Sequence, residues 1–126
     1  MSKYPPAQIG RAGEFFVSYY LTLNYFIECV MVDRQDDDIW IKTPNRRIRT
    51  LQVKTSTKPF GTFKGLRYRF TTRTGHGADF FAFLALDRKC FLIMPSDLVN
   101  HKSTTLAASK FNKVQMHRSI RQNFNV

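Results

Sequence analysis

The sequence predicts an α/β domain in which an N-terminal helix is followed by a β-sheet. Three observations carry this. Apolar residues recur at helical spacing between Pro6 and Asn24, short β-like runs separated by turn signals follow, and Asp79 to Leu86 is almost continuously apolar. The chain of 126 residues is the size of one domain, 1–126. At 43% apolar, with 12 Phe, it can bury a real core.

In the first helix, Pro5 and Pro6 suit the opening turn and Asn24 the end. Ile9, Ala12, Phe16, Tyr19 and Leu23 define the predicted core face, with Phe15 and Tyr20 widening it. Glu14 shares a row with Val17 and Leu21, so an acid sits among apolar neighbours and should be partly desolvated. Tyr25 to Val32 and Asp38 to Thr43 read as strands, Pro44-Asn45-Arg46 as a turn, and Ile48 to Ser56 as a third strand. In that third strand Leu51 and Val53 point one way, while Thr50, Gln52 and Lys54 point the other. Thr57 to Gly65 is predicted as a loop, Arg67 to Thr71 as a strand and Arg73 to Gly77 as a second loop. Asp79 to Leu86 matches a strand buried on both faces. Asp87-Arg88-Lys89 then turns into Cys90 to Met94, and Ser96 is placed to cap a short helix. Thr105 to about Gln122 is predicted helical and basic.

Charge narrows the function. Twenty Lys and Arg against nine acids give +11, a balance that attracts polyanions, of which nucleic acid is the commonest. No run approaches a membrane span, no charged-then-apolar leader opens the chain, and no basic amphipathic helix suggests a membrane surface. Cys29 and Cys90 lack metal-like spacing and read as buried free thiols, which points to a reducing, cytoplasmic setting.

The charge is also segregated. Ile39 to Ala78 holds ten bases and no acid, while Asp33, Asp36, Asp37 and Asp38 fall just before it. Clustered carboxylates repel unless something offsets them, and a divalent cation would. A solvated acidic turn balanced by Arg34 and nearby bases is the plain alternative. Within the basic tract, Lys58, Lys64, Arg67, Arg69 and Arg73 interleave with Phe60, Phe63, Tyr68 and Phe70. With Arg46 and Arg47, these bases are the predicted phosphate contacts. The aromatics could stack on unpaired bases, but Tyr68 and Phe70 alternate with Arg67 and Arg69 and so belong to the core. His76 reads as an idle loop histidine, and Arg118 and Arg121 extend the basic surface.

Metal-assisted phosphodiester hydrolysis needs oxygen ligands for the cation and a basic group near the attacking water or the developing charge. Asp38 before one strand, then Gln52 and Lys54 two apart on the next, has that arrangement. Here the sequence resembles the PD-(D/E)XK nuclease superfamily, most nearly small members with a helix glutamate such as archaeal Holliday-junction resolvases. It also resembles the Gln-x-Lys branch that includes certain group I intron homing endonucleases. The matching pieces are Gly10-Arg11-Ala12-Gly13-Glu14, Asp38-Ile39-Trp40-Ile41, Leu51-Gln52-Val53-Lys54-Thr55-Ser56, and Asp79-Phe80-Phe81-Ala82-Phe83 followed by Phe91-Leu92-Ile93-Met94-Pro95. The resemblance covers about Gly10 to Leu98.

It implies a restriction-endonuclease-like core, with a mixed central β-sheet flanked by helices, and a DNA endonuclease using Mg²⁺ or Mn²⁺ on branched DNA or at a specific duplex site. The catalytic set it implies is Glu14, Asp38, Gln52 and Lys54, with Asp38, Gln52, the Val53 carbonyl and Glu14 holding metal. A chain this small would cut two strands as a homo-oligomer, a dimer or higher. Two departures stand out. Gln52 is neutral and removes one negative charge from the metal site, and Thr57 to Ala78 shows no helix where the superfamily has one. Taken singly, Gln52 and Lys54 could be the solvent face of an edge strand, Glu14 a helix acid paired with Arg11, and Asp38 part of the acidic turn. Two readings compete with the nuclease: a non-catalytic DNA-binding module on a degenerate nuclease fold, and a basic RNA-binding protein.

Overall fold

The computed structural model describes residues 5–32, 37–62, 64–73, 77–99 and 102–126. Of the predicted features, Asp33, Arg34, Asp36, Phe63 and His76 lie outside them. A long helix α1 (Pro6–Tyr25) opens the fold, and strands β1 (Glu28–Met31), β2 (Ile39–Lys42) and β3 (Ile48–Ser56) follow. Next come a hairpin of β4 (Phe60–Thr62) and β5 (Gly65–Thr71), then β6 (Phe80–Ala85) and β7 (Cys90–Pro95). The chain ends with β8 (Ser103–Ala107) and helix α2 (Lys113–Phe124). The main sheet has the order β1-β2-β3-β6-β7, and β4-β5-β8 form a second sheet. Only the β3–β6 pair is parallel, so the main sheet is mixed, as predicted.

The core face of α1 differs from the prediction. Gly13, Val17 and Leu21 are its buried residues, while Phe15, Tyr19 and Leu23 are exposed, Ala12 is exposed, and Ile9 and Phe16 are only partly covered. The helix is apolar almost all round from Phe15 to Phe26, so periodicity could not choose its inner face. Packing chose it. A side chain at Gly13 would run into Thr55 Oγ1, which shows how closely the helix backbone lies on β3. The helix ends at Tyr25, one residue past Asn24, and is capped by Phe26 in a left-handed conformation.

The predicted third strand is β3, and the run Asp79–Leu86 is β6, whose residues from Phe81 to Ala85 are all buried. The segment Thr57–Gly65, predicted as a loop, instead carries β4, in which Gly61 sits at φ 117° opposite Leu66 of β5. Tyr68 and Phe70 alternate inward as predicted, and Phe70 packs on Phe83 with ring centroids 4.9 Å apart. Tyr68 donates to the Asp87 carboxylate at 2.8 Å.

Two further corrections fall near the end of the chain. Ser96 does not cap its short helix; Pro95 holds that position, and Ser96 Oγ donates to the Ala78 carbonyl at 2.6 Å. Thr105 to Ala107 is strand rather than helix, because Ser103–Ala107 pairs with β5 and covers its free edge. Helix α2 then seals the outer edge of β7, an edge that would otherwise invite pairing with another chain. Ser119 Oγ accepts from the Ile93 amide at 3.0 Å, and Asn123 Nδ2 donates to the Ile93 carbonyl at 3.0 Å. His117 ties α2 to α1 through hydrogen bonds to the Tyr20 and Tyr25 hydroxyls.

Candidate functional site

The site forms where β2 and β3 part. Their last paired residues are Ile39 and Leu51, and Asp38 precedes that pair. The Asp38 amide donates to the Leu51 carbonyl at 2.8 Å, and the Asp38 carbonyl accepts from the Val32 amide at 2.9 Å. With its backbone held on both sides, the Asp38 carboxylate takes the place of the missing strand, and Oδ2 accepts from the Val53 amide at 2.8 Å. The amide and carbonyl of a strand residue point the same way. The Val53 carbonyl therefore faces the side on which Asp38 lies.

Gln52 and Lys54 flank Val53 and share the opposite pleat, as the i, i+2 spacing predicts. Gln52 is 8% exposed, and among the described residues its Oε1 is buried with no hydrogen-bond partner. An amide oxygen stripped of water without a replacement partner costs free energy, about 1–3 kcal/mol. Such an atom calls for a reason in the form of a ligand.

Burial pushes the Asp38 carboxyl up from the ordinary carboxylate range. The Val53 hydrogen bond and the Lys54 and Arg11 charges oppose that rise. Burial also lowers the Lys54 ammonium, against the pull of Asp38. Both groups are thus partly dehydrated charges within each other's field.

Glu14 stands on α1, which packs through Gly13 on Thr55 and Leu84, the face of the main sheet opposite to that bearing Gln52 and Lys54, so the four predicted residues do not share one face. Its side chain is 17% exposed, as its apolar row predicts, and Arg11 Nη1 lies 3.5 Å from Glu14 Oε1. Arg11 is the residue that sequence reasoning undervalued. Its pairing with Glu14 is visible as an i, i+3 spacing, but its field also acts on Asp38, so one cation serves both carboxylates. A second such feature is the Thr50–Asp79 pair. Thr50 N–H donates to Asp79 Oδ2 at 3.0 Å and Asp79 N–H to Thr50 Oγ1 at 2.9 Å, fixing the start of β6 beside β3. Of the other cluster acids, Asp37 accepts from Trp40 Nε1 at 3.1 Å.

The oxygens predicted to hold a cation are the Asp38 and Glu14 carboxylates, the Gln52 amide and the Val53 carbonyl; Asp38 meets the Val53 backbone, whereas Glu14 and Gln52 stand on opposite faces of the sheet. This is a hard-oxygen set of the kind Mg²⁺ and Mn²⁺ take. No three His, Cys, Asp or Glu converge among the described residues, so a cation here would depend on the uncharged oxygens of β3.

The predicted phosphate contacts divide into two groups. Lys58, Lys64, Arg67, Arg69 and Arg73 sit on or beside the β4–β5 hairpin, all exposed. The guanidinium carbon of Arg69 lies 4.7 Å above the Phe60 ring centroid and that of Arg67 5.7 Å from it, so one aromatic steadies both. Arg46 and Arg47 sit instead at the turn between β2 and β3, the far end of β3 from the hairpin. Gln52 and Lys54 lie between the two groups along that strand.

The architecture is a nuclease-like fold. The chain superposes on the structure of a bacterial homing endonuclease, I-Ssp6803I, with a TM-score of 0.64 and 13% identity, covering 97% of this chain and 99% of that one. No family model matches the chain, and no curated protein matches it by sequence. No helix of the described residues is long and apolar enough to cross a membrane.

Proposed function

We propose that the protein is a divalent-metal-dependent DNA endonuclease of the PD-(D/E)XK type, hydrolysing phosphodiester bonds in branched DNA or at a specific duplex site. The observation that carries this reading is the buried, unpartnered Gln52 Oε1 on the strand that presents Lys54 and hydrogen-bonds Asp38. The shared fold with a homing endonuclease agrees with it.

Asp38, Gln52, the Val53 carbonyl and Glu14 would hold Mg²⁺ or Mn²⁺. When bound, the cation supplies polarisation of the phosphate and a more acidic water. The side chains do the rest. The Val53 amide locks the Asp38 carboxylate in one orientation. Lys54, stripped of part of its hydration, orients the attacking water or stabilises charge on the pentacovalent phosphate. Arg11 offsets the repulsion between Glu14 and Asp38. The hairpin cations and those at the β2–β3 turn would grip the backbone on either side of the scissile bond. The working unit is a homo-oligomer, a dimer or higher, with one site for each strand cut.

Of supercoiled, linear and four-way-junction DNA, at least one should be cut with Mg²⁺ or Mn²⁺ and left intact with EDTA. Asp38→Ala and Lys54→Ala should each slow cleavage by at least about 10²-fold. Cleavage that survives either substitution would sink the site assignment. Binding without cleavage of any substrate would leave a DNA-binding module.

A further inference from the structure

The outer face of α1 is not what an isolated chain should present to water. Phe15, Tyr19 and Leu23 follow one another every four residues, each more than half exposed. Phe26 continues the stripe at 85% exposure, held at φ 55° and ψ 31°. That left-handed conformation is costly for a bulky residue, and here its effect is to leave an aromatic ring in solvent. With aromatic side chains of roughly 150–250 Å² each, the stripe exposes on the order of 500 Å². That is at the upper end for a monomer, about 300–600 Å², and approaches the roughly 800 Å² per partner of a standard interface.

Two features identify what covers it. The first is charge. No residue from Phe15 to Ile27 is charged, although the chain carries +11. Two copies brought together through most other surfaces would set like charges against each other, whereas the Phe15–Ile27 stretch brings none and Arg11 beside the pocket is paired with Glu14. The second is shape. Gln8, Ile9, Ala12 and Leu86 line an apolar pocket of about 330 Å³ at the start of the same helix. Ala12 and Phe26 are equally far from Tyr19 in sequence. A two-fold axis through Tyr19 therefore sets Phe26 of each copy opposite Ala12 of the other, and Leu23 opposite Phe15. The protruding ring and the pocket match twice, which is the self-complementarity an isologous interface requires.

We propose that two copies of this chain pair through this face, α1 running antiparallel to α1, with the partner's Phe26 seated in the pocket beside Ala12. This surface deepens the oligomeric part of the function proposed above and rests on that part alone.

Sedimentation equilibrium of the full chain tests it without any cleavage. The parent should associate at micromolar concentration. Phe26→Ala should weaken association by about tenfold or more, Leu23→Lys should give monomer, and Ala12→Phe should block pairing by filling the pocket. Val30 stands on the opposite face of the sheet from α1, also exposed, and Val30→Lys should leave the mass unchanged. Because Leu23 is exposed, a Leu23→Lys protein that keeps the parent's circular dichroism and melts cooperatively has lost pairing and not folding. A parent that stays monomeric, a Leu23→Lys protein with the parent's mass, or dissociation by Val30→Lys alone would each overturn the proposal. With Mg²⁺, Leu23→Lys should nick supercoiled plasmid yet yield little linear product. A chain that pairs but never cuts would defeat the nuclease reading and leave this interface standing, and a monomer that cuts would do the reverse.

Discussion

Asp38 sits at a position where function and stability oppose each other. Its backbone is pinned between Leu51 and Val32, and its carboxylate is partly buried beside Lys54 and Arg11. Burial raises its pKa, so the folded state binds the Asp38 proton more readily than the unfolded state does. The stabilising contribution is complete below the ordinary carboxylate value and is lost as pH rises through the raised one. At neutral pH, without a divalent cation, the ionised Asp38 therefore costs stability. Asp38→Asn should raise the thermal midpoint in EDTA by about 2–5 °C at pH 7. The gain should shrink as pH falls through the raised pKa, while cleavage is abolished. A midpoint that falls at neutral pH would show that the Val53 hydrogen bond outweighs the burial of charge. Gln52 is the complementary case, a neutral group whose buried oxygen has no hydrogen-bond partner among the described residues.

Among the elements, α1 approaches β3 closely, and that approach fixes where Arg11 and Glu14 stand. Gly13 allows it, since a methyl there would strike Thr55 Oγ1. Thr55 Oγ1 is itself buried and, among the described residues, has no hydrogen-bond partner, so it adds little stability where it lies. Gly13→Ala should therefore cost about 1–3 kcal/mol through overpacking, despite alanine's better helix propensity. Thr55→Ala alone should be nearly neutral, and combining the two should restore most of the loss. A double-mutant cycle by urea denaturation checks this, with additive effects counting against the contact. If cleavage falls with Gly13→Ala and returns in the double variant, α1 is what positions Glu14. The hairpin shows a related economy, in which Phe60 steadies Arg67 and Arg69 while Tyr68 and Phe70 anchor the same strand in the core.

For the molecule as a whole, charge governs encounter with DNA. A net +11 should give binding that falls steeply with salt. Lys58→Ala and Lys64→Ala should each reduce the slope of log K against log salt by about 0.9 if each contacts a phosphate, and should weaken all duplex sequences alike. An unchanged slope would remove that residue from the interface. Arg118 and Arg121 lie on α2, which packs on the β7 edge. Substitutions there should alter the slope less than those at the hairpin.

Several elements were legible in the one-dimensional pattern because local chemistry determines them. Turn residues bound β3, the unbroken apolar run marks β6, and alternation with arginines sends Tyr68 and Phe70 inward. The order Glu14, Asp38, Gln52, Lys54 was visible for the same reason, since same-face spacing on a strand is a local property. Tertiary structure decided the rest. A helix apolar on every side cannot announce which stripe is buried, and only the close contact at Gly13 turned Val17 and Leu21 inward and left Phe15, Tyr19 and Leu23 outside. Residues 103–107 became strand because β5 offered them an open edge, which no propensity could foresee. The meeting of Arg11 with Asp38, and the parting of β2 from β3 that exposes Val53 to the Asp38 carboxylate, depend on segments far apart in sequence. The sequence by itself determined which groups the chain carries and on which faces of each element they stand. Only the tertiary packing decided which of them meet, because contacts such as that of Gly13 with Thr55 join residues 42 positions apart that have no local interaction to reveal them.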